Sequence, residues 1–335
     1  GVGDGGGGPS EAHIEMISRQ KTLQGCPVVE TGRAVDFFDR INEKKQNLPT
    51  YCGELYLEKH QGTYTTQGRN KRFNRLAEYA LQDIEALAAL GYTKGYEYPQ
   101  EDIDRWWKEV LLYQFHDIIP GSSIQRVYVE SRARYEIILK EIEQKRMEIL
   151  EFLCGIGDEK IVFNSTSFDR EEVINNKNFD KVNVGAYSFA KLETNEKDCN
   201  LQEIEGGITN GVLKVKFGAN GEISSLKDSN DLEFSKEYLN RLKLFFDRPL
   251  HYNAWDIDWK YHNHSGKTLK AYKFETVIEN GKITRRNFFK HGKTKIIQEV
   301  SLYSRADRVT IKTSCDFDEI YKMLRAEFMP VPVSD

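Results

Sequence analysis

A neighbouring imidazole and carboxylate, His116 and Asp117, are the most informative residues of this sequence. They follow an apolar helical stretch and directly precede a break at Pro120 and Gly121. Side chains on a rigid turn between two helices are well placed to ligate a metal ion or to bind sugar hydroxyls. On spacing alone, the more common explanation is a histidine that faces a helix macrodipole beside a solvated aspartate.

Two amphipathic helices position this pair. The helix before it has an apolar stripe at helical spacing, formed by Ile103, Trp106, Trp107, Val110 and Leu111. The helix after it is predicted to begin with Ser122 or Ser123 as its N-cap residue. The pair is therefore expected at a helix-to-helix elbow.

A three-helix bundle is predicted around this elbow. Its helices run from about 67 to 90, from 100 to 114 and from 122 to 154, and Gly91 is expected to end the first one. The inward side chains of the first helix are predicted to be Phe73, Leu76, Ala80, Ile84, Leu87 and Ala88. Short loops between amphipathic helices favour antiparallel neighbours.

The regions on either side of the bundle differ from it in pattern. Two short helices, from Ser10 to Arg19 and from Ala34 to Ile41, are predicted for the tail of an α/β, barrel-like domain. From Lys160 onward apolar residues alternate, and Asn220-Gly221 and Asn280-Gly281 indicate hairpin turns. The predicted fold is a multidomain α+β chain, with that tail at 1–48, the bundle at 49–157 and an antiparallel β-sandwich at 158–335.

Composition excludes several classes of protein. A net charge of −4 without basic clusters argues against binding to nucleic acid or to an anionic membrane. No apolar stretch approaches the ~20 residues of a membrane span, and the sequence opens on glycines rather than on a secretory leader. The five scattered cysteines suggest reduced thiols and a cytoplasmic location.

Four segments in order carry a family resemblance. The stretch from Tyr113 to Ser123 resembles the Gln-x-His-Asp-x-x-x-Gly-[Ser/Thr] signature of glycoside hydrolase family 38, the retaining α-mannosidases. The glycine-rich segment 1–9 and the segments 53–71 and 247–258 resemble the bacterial and fungal branch of that family. The resemblance covers essentially the whole chain.

This resemblance implies a zinc site in which His116 is one ligand. The family's other ligands are a His-x-Asp pair and the nucleophilic aspartate, which lie upstream of the matching segments, so we expect a fragment that lacks them. Zinc would bind two vicinal hydroxyls of a mannose, and Asp117 would accept hydrogen bonds from the hydroxyls beside it. Phe115 replaces a histidine found in many animal members, so their substrate geometry cannot be carried over.

The first matching segment implies a role for Asp4. It is the only carboxylate there and is followed by four glycines, which allow a substrate to approach closely. The resemblance suggests that Asp4 is the general acid/base, and the alternative is a helix-capping or substrate-orienting aspartate. A phosphate-binding loop is a poor match, because no lysine and Ser/Thr pair stands at the spacing of that motif.

The remaining segments imply further substrate contacts. Tyr64 would form a sugar platform in the cleft wall. Thr66 nearby would belong to the same wall, and the alternative for it is a simple N-cap of the first bundle helix. Trp255, Asp256 and Asp258 would reach the cleft from the β-domain, although a tryptophan in such a domain is more often part of the core.

The predicted function is part of a retaining α-mannosidase that removes terminal α-linked mannose by a zinc-assisted double displacement. Its partner would be an α-mannoside oligosaccharide or a small mannosyl conjugate. Two alternatives stay open: a hydrolase of a conjugate such as mannosylglycerate, and a non-catalytic carbohydrate-binding module. The oligomeric state, a homo-oligomer included, does not follow from the sequence.

Overall fold

The computed structural model divides the chain into two compact units, Gly1–Tyr56 and Leu57–Asp335. It describes residues 7–44, 48–53, 55, 59–174, 180–192, 200–279 and 281–332. Asp4 lies outside the described residues. No helix within the described part of the chain is both long and apolar enough to cross a membrane.

The described part of the first unit contains the two predicted helices. They are α1 (Glu11–Gln20) and α2 (Ala34–Glu43). Ser10, where the first helix was predicted to begin, is the N-cap of α1, and its backbone N–H donates to Nδ1 of His13 at 3.1 Å. This bond gives the backbone N–H of Ser10 an acceptor, which the start of a helix otherwise lacks.

The second unit begins with the three predicted helices, α3 (Gly68–Tyr92), α4 (Gln100–Tyr113) and α5 (Gln125–Cys154). Two of the predicted boundaries are wrong. Gly91 does not end α3 but lies inside it, where a Cβ atom would come within 3.1 Å of Cβ of Tyr96. The N-cap of α5 is Ile124, and neither serine before it caps the helix with its side chain.

The three helices share one apolar core. Its fully buried members are Ala77, Leu81, Ile84, Leu87, Ala88, Ile103, Trp106, Val110, Tyr135, Ile138, Ile142 and Ile149. Two residues predicted to face this core, Leu76 and Leu111, are exposed. Leu111 follows Ile103 by eight residues, a rotation of roughly 80° around the helix, which turns it away from the apolar stripe.

The rest of the unit is antiparallel, as predicted. The strands are β1 (Ile161–Phe163), β2 (Arg170–Ile174), β3 (Asp180–Val184), β4 (Phe189–Lys191), β5 (Gln202–Ile204), β6 (Gly207–Thr209), β7 (Lys214–Phe217), β8 (Ile223–Lys227), β9 (Arg241–Phe246), β10 (Lys267–Thr268), β11 (Ala271–Glu279), β12 (Lys282–His291), β13 (Thr294–Tyr303), β14 (Val309–Asp316) and β15 (Lys322–Glu327). The chain is therefore α+β.

Two four-stranded sheets, β5-β6-β7-β8 and β11-β12-β13-β14, pack on each other. Their shared core is formed by Ile208, Leu213, Val215, Ile223, Leu239, Ile283, Val300 and Leu302. The three-stranded sheet β10-β9-β15 packs on the second of them through Leu242, Leu244, Leu269, Phe289 and Ile296. The β7–β8 pairing confirms the hairpin predicted at Asn220-Gly221.

The short β1–β4 pair belongs to the bundle rather than to these sheets. Phe163 and Phe189, which are partners in this pair, pack against the bundle core. Ser165, just beyond β1, donates a hydrogen bond to Asp83 on α3. The helices therefore share their packed interior with one side chain each from β1 and β4.

Candidate functional site

The backbone of the elbow is fixed by hydrogen bonds from neighbouring helices. Helix α4 ends at Tyr113, and the Nε2 amide of Gln114, its C-cap, donates to Asn74 at 3.1 Å and Glu78 at 2.8 Å. The buried Tyr128 hydroxyl donates to the carbonyl oxygen of Asp117 at 3.2 Å. The same hydroxyl accepts the backbone N–H of Ser123 at 2.8 Å, and this bond ties the residue before the N-cap of α5 to the elbow.

The two side chains of the elbow project into solvent. The side chain of His116 is 74% exposed and that of Asp117 is 55% exposed, and Nε2 and Oδ2 lie 3.5 Å apart. The Phe115 ring packs beside the imidazole with a centroid distance of 4.3 Å. Oγ of Ser122 lies 3.4 Å from the other carboxylate oxygen. A fixed backbone thus presents an imidazole and a carboxylate that are both accessible to a ligand.

Lys71 joins the elbow to the start of α3. Its ammonium group donates to the carbonyl oxygens of Thr66 at 2.5 Å and Ile119 at 2.7 Å. Among the described residues it has no carboxylate partner. Burial lowers the pKa of Lys71 to about 8, because the charged form loses its hydration.

Thr66 is the point where three segments meet. Its carbonyl oxygen lies so close to Gly121 that a Cβ atom there would come within 2.6 Å of it. Its hydroxyl lies 2.8 Å from the carbonyl oxygen of Gly62 and 3.0 Å from that of Ala254, and has one proton to share between them. Thr66 is therefore not the N-cap of α3, a position that Gln67 holds.

The β-domain segment predicted to reach the cleft does contact the bundle end. The backbone N–H of His60 donates to Oδ1 of Asp256 at 2.6 Å. The imidazole of His60 packs on Trp255 with a centroid distance of 5.0 Å. Gly62 is pressed against the backbone carbonyls of residues 255 and 256, where a Cβ atom would lie 3.0 Å from each oxygen.

A half-buried aspartate, Asp247, shapes the same segment. Oδ1 of Asp247 accepts the backbone N–H of Asp258 at 2.7 Å. Burial is the main cause that raises the pKa of Asp247, and the nearby charge of Asp258 adds to it. Asp258 in turn caps the short 3-10 helix Trp259–Asn263 by accepting the N–H of Lys260 at 3.0 Å.

Left-handed backbone conformations cluster at the junction formed by segments 60–67 and 252–258 and the elbow. His60, Gln67 and Tyr252 have φ values of 66°, 54° and 56°, and Gly121 has a φ of 95°. Such conformations cost about 1–3 kcal/mol at non-glycine residues, and they persist only where the surroundings enforce them. The junction is therefore held in a demanding shape by its contacts.

Most of the predicted site residues belong to this junction. His116 and Asp117 lie on its elbow, Trp255 and Asp256 contact its His60, and Tyr64 is exposed in the 3-10 helix Gln61–Tyr64 beside it. Asp4, the predicted general acid/base, lies outside the described residues.

The donor set of the elbow fits part of a zinc site. Zinc prefers imidazole nitrogen and carboxylate oxygen among its ligands, and four are usual in a closed site. Within the described ranges no group of three or more His, Cys, Asp or Glu side chains could hold a metal ion. The exposed nitrogen of His116 can supply one ligand, and Asp117 beside it is the nearest carboxylate.

Two residues of this junction were not predicted to have a role. Lys71 and Asp247 both lie in family-like segments, but only the fold shows what their side chains contact. The only local signal for Lys71 is weak: it is a lysine at the fourth position of a helix that has no acidic residue in its first turn.

Comparison with known proteins identifies two regions of the chain. Residues 58–153 match the family profile described as the alpha mannosidase middle domain. Residues 208–331 match the glycosyl hydrolases family 38 C-terminal domain. These matches cover the bundle and most of the β-sheets.

Relatives extend the similarity along the chain. Alpha-mannosidase 2C1 of Homo sapiens is 29% identical over 357 aligned positions, which cover 98% of this chain and 34% of the relative. An alpha-mannosidase of Saccharomyces cerevisiae is 31% identical over 289 positions, which cover 77% of this chain and 25% of the relative. The chain thus spans about a third or less of the curated relatives it matches.

A solved structure supports the fold. The crystal structure of an alpha-mannosidase from Enterococcus faecalis matches 87% of this chain and 47% of its own, with a TM-score of 0.65 and 14% sequence identity. Fold, family profiles and relatives agree with the motif at the elbow. The chain belongs to glycoside hydrolase family 38 and carries the middle-domain and C-terminal-domain regions of that family.

Proposed function

We propose that this chain is part of a retaining α-mannosidase that acts on an α-mannoside oligosaccharide or a small mannosyl conjugate. The observation that carries the proposal is the exposed pair on the elbow, whose backbone is fixed by Lys71 and Tyr128. A site that must orient a sugar needs rigid support for its polar groups. His116 and Asp117 have this support and are open to solvent.

In this proposal His116 is one zinc ligand of the whole enzyme, and Asp117 binds the hydroxyls of the terminal mannose. Zinc, when bound, supplies a Lewis acid that favours binding of vicinal hydroxyls. The Asp117 carboxylate accepts hydrogen bonds from hydroxyl groups and fixes the orientation of the sugar ring. Phe115 adds an apolar surface next to the imidazole.

The other proposed roles follow the family resemblance. Asp4 would protonate the leaving oxygen and then activate water, and the nucleophilic carboxylate would come from a part of the enzyme that this chain does not contain. Tyr64, Trp255, Asp256 and Asp258 would contact the substrate. We also propose a cytoplasmic location, in keeping with the unpaired thiols of Cys26, Cys52, Cys154 and Cys315.

The test is the His116→Ala variant of the full-length protein. We expect bound zinc, measured by elemental analysis, to fall well below one equivalent, and kcat on an α-mannoside to fall by at least about 100-fold. His13→Ala is the control for loss of one histidine and should keep its zinc, since the hydrogen bonds of the His13 side chain within the described residues are to Ser10, the N-cap of α1. Circular dichroism should show an intact fold in both variants.

Three results would contradict the proposal. Stoichiometric zinc in His116→Ala would refute the ligand assignment. Unfolding of the bundle in that variant would indicate a structural histidine. Sugar binding without hydrolysis by the wild-type protein would favour the non-catalytic module.

A further inference from the structure

A groove separate from the elbow lies along the segment 247–264. Its volume is about 590 Å³, within the range of roughly 300–1,000 Å³ that is typical of small-molecule sites. Tyr252 and Trp259 line it, with 72% and 73% of their surface exposed. Large aromatic rings left in solvent beside a groove present flat apolar faces with a polar tip, which suits a ligand that is partly apolar and partly polar.

Two carboxylates line the same groove and are already oriented. Oδ1 of Asp256 accepts the N–H of His60, and Oδ1 of Asp258 accepts the N–H of Lys260. Within the described part of the chain, Oδ2 of each has no hydrogen-bond or ion-pair partner. Each carboxylate is thus held by one oxygen and retains the other as an acceptor for ligand hydroxyls.

The charges around the groove nearly cancel. Lys59, Arg248 and Lys260 are cationic, and Asp256 and Asp258 are anionic. A strongly charged ligand would meet both signs at close range, whereas a neutral polyhydroxylated ligand meets both donors and acceptors. The balance therefore favours a neutral sugar.

Hydrogen bonds hold the backbone of the groove wall next to Trp259. Trp259 is the first residue of the 3-10 helix that Asp258 caps, and the backbone N–H of Asp258 donates to the half-buried Asp247. The backbone N–H of Asp247 donates to the carbonyl oxygen of Tyr321 at 2.9 Å. A binding surface that is ordered before the ligand arrives loses less entropy on binding.

The groove is linked to the elbow through Thr66. The hydroxyl of Thr66 contacts the carbonyl oxygen of Ala254, just before the groove residues, and its backbone contacts Gly121 of the elbow. Thr66 thus contacts both the elbow and the segment that forms the groove. We propose that this groove binds a second, neutral sugar residue of the substrate, with Trp259 and Tyr252 as stacking platforms; this inference rests on the proposed α-mannosidase function.

The experiment compares two substrates in the full-length protein. α-Linked mannobiose offers a second sugar, whereas the leaving group of α-mannosyl fluoride is a single atom. In Trp259→Ala we expect KM for mannobiose to rise by up to about tenfold, the effect of losing one aromatic contact, while KM for the fluoride stays within about twofold. Trp259→Phe should restore most of the mannobiose affinity.

Tyr272→Ala is the matched control, because Tyr272 is 68% exposed on β11 and does not line the groove. It should leave both KM values unchanged. Equal changes for both substrates in Trp259→Ala, or no change for either, would overturn the groove assignment while hydrolysis by the wild type upheld the proposed function.

A binding measurement can support the groove even if the proposed enzyme function fails. Mannobiose should quench tryptophan fluorescence of the wild type, and the quenching should be lost in Trp259→Ala. If the wild type shows this quenching but hydrolyses neither substrate, the groove stands and the proposed enzyme function fails. If there is neither quenching nor hydrolysis, both proposals fail.

Discussion

At the scale of single residues, the junction depends on a lysine that has no acidic partner within the described residues. The ammonium group of Lys71 donates to two carbonyl oxygens that lie 53 residues apart in the sequence, that of Thr66 before α3 and that of Ile119 in the elbow. A buried carbonyl that loses its donor keeps the cost of its lost hydration. Lys71 is therefore a positioning residue for the elbow rather than one that touches substrate.

Replacing this lysine should loosen the elbow. In Lys71→Met two carbonyls lose their donor, and we expect the free energy of unfolding to fall by about 1–3 kcal/mol. Urea denaturation measures the change. Lys140→Met, an exposed lysine on α5, is the control and should change the value by no more than about 0.5 kcal/mol. Equal changes in both variants would show that the hydrogen bonds of Lys71 do not contribute to the free energy of unfolding.

The same lysine predicts a pH dependence. Its pKa is about 8 in the folded chain against an ordinary value of 10.5, so the unfolded chain binds more protons between these two values. The contribution of Lys71 to stability should therefore rise with pH across that window and be constant below it. The difference in unfolding free energy between wild type and Lys71→Met, measured from neutral to strongly alkaline pH, should grow in this direction; a flat difference would contradict it.

At the scale of elements, the elbow requires a glycine for two separate reasons. Gly121 has a φ of 95°, and its Cα lies against the carbonyl oxygen of Thr66. Gly95, in the turn after α3, has the same φ of 95° but has nothing within 4 Å of the position a Cβ would take. The two positions separate backbone strain from steric contact.

Alanine substitutions at these glycines should differ. Gly95→Ala carries only the left-handed penalty, about 1 kcal/mol. Gly121→Ala adds a clash with a backbone atom that cannot move freely, so we expect it to lose about 2 kcal/mol more and to impair zinc retention in the full-length protein. Urea denaturation and elemental analysis measure the two effects. Equal losses at both positions would mean that the contact with Thr66 is unimportant.

The elements were predictable because their signals are local. Helical periodicity located α3, α4 and α5, and an Asn-Gly turn located the β7–β8 hairpin. The predicted serine N-cap of α5 was wrong: the N-cap is Ile124, whose side chain cannot accept a hydrogen bond, so the usual residue preference did not locate the start of this helix. The contacts of Thr66 with Ala254, 188 residues apart, and of Lys71 with Ile119 have no local signal at all. Sequence patterns could therefore place the elbow but not what holds it.

At the scale of the whole molecule, packing divides the chain differently from the sequence pattern. The pattern changes from helical to alternating after the bundle, yet Phe163 of β1 and Phe189 of β4 pack into the helical core. The four-stranded sheets have a separate core. Groups that share a core tend to open together.

Hydrogen exchange should show this division. Ile142→Ala creates a cavity in the bundle and should cost about 2–5 kcal/mol; Ile142 is 1% exposed. We expect amide exchange to accelerate in α3, α4 and α5 and also in β1 and β4, and to change little in β11–β14. Val300→Ala, in the sheet core, should produce the opposite pattern. If amide exchange in β1 and β4 accelerated in Val300→Ala rather than in Ile142→Ala, this division would be contradicted.

The cluster of left-handed residues affects how an alignment of this family should be interpreted. A non-glycine residue at positive φ tolerates asparagine, aspartate or glycine far better than a β-branched side chain. Narrow variation at positions 60, 67 and 252 can therefore arise from the backbone alone. An invariant glycine at position 121 would likewise reflect the nearby carbonyl of Thr66 rather than a part in the chemistry.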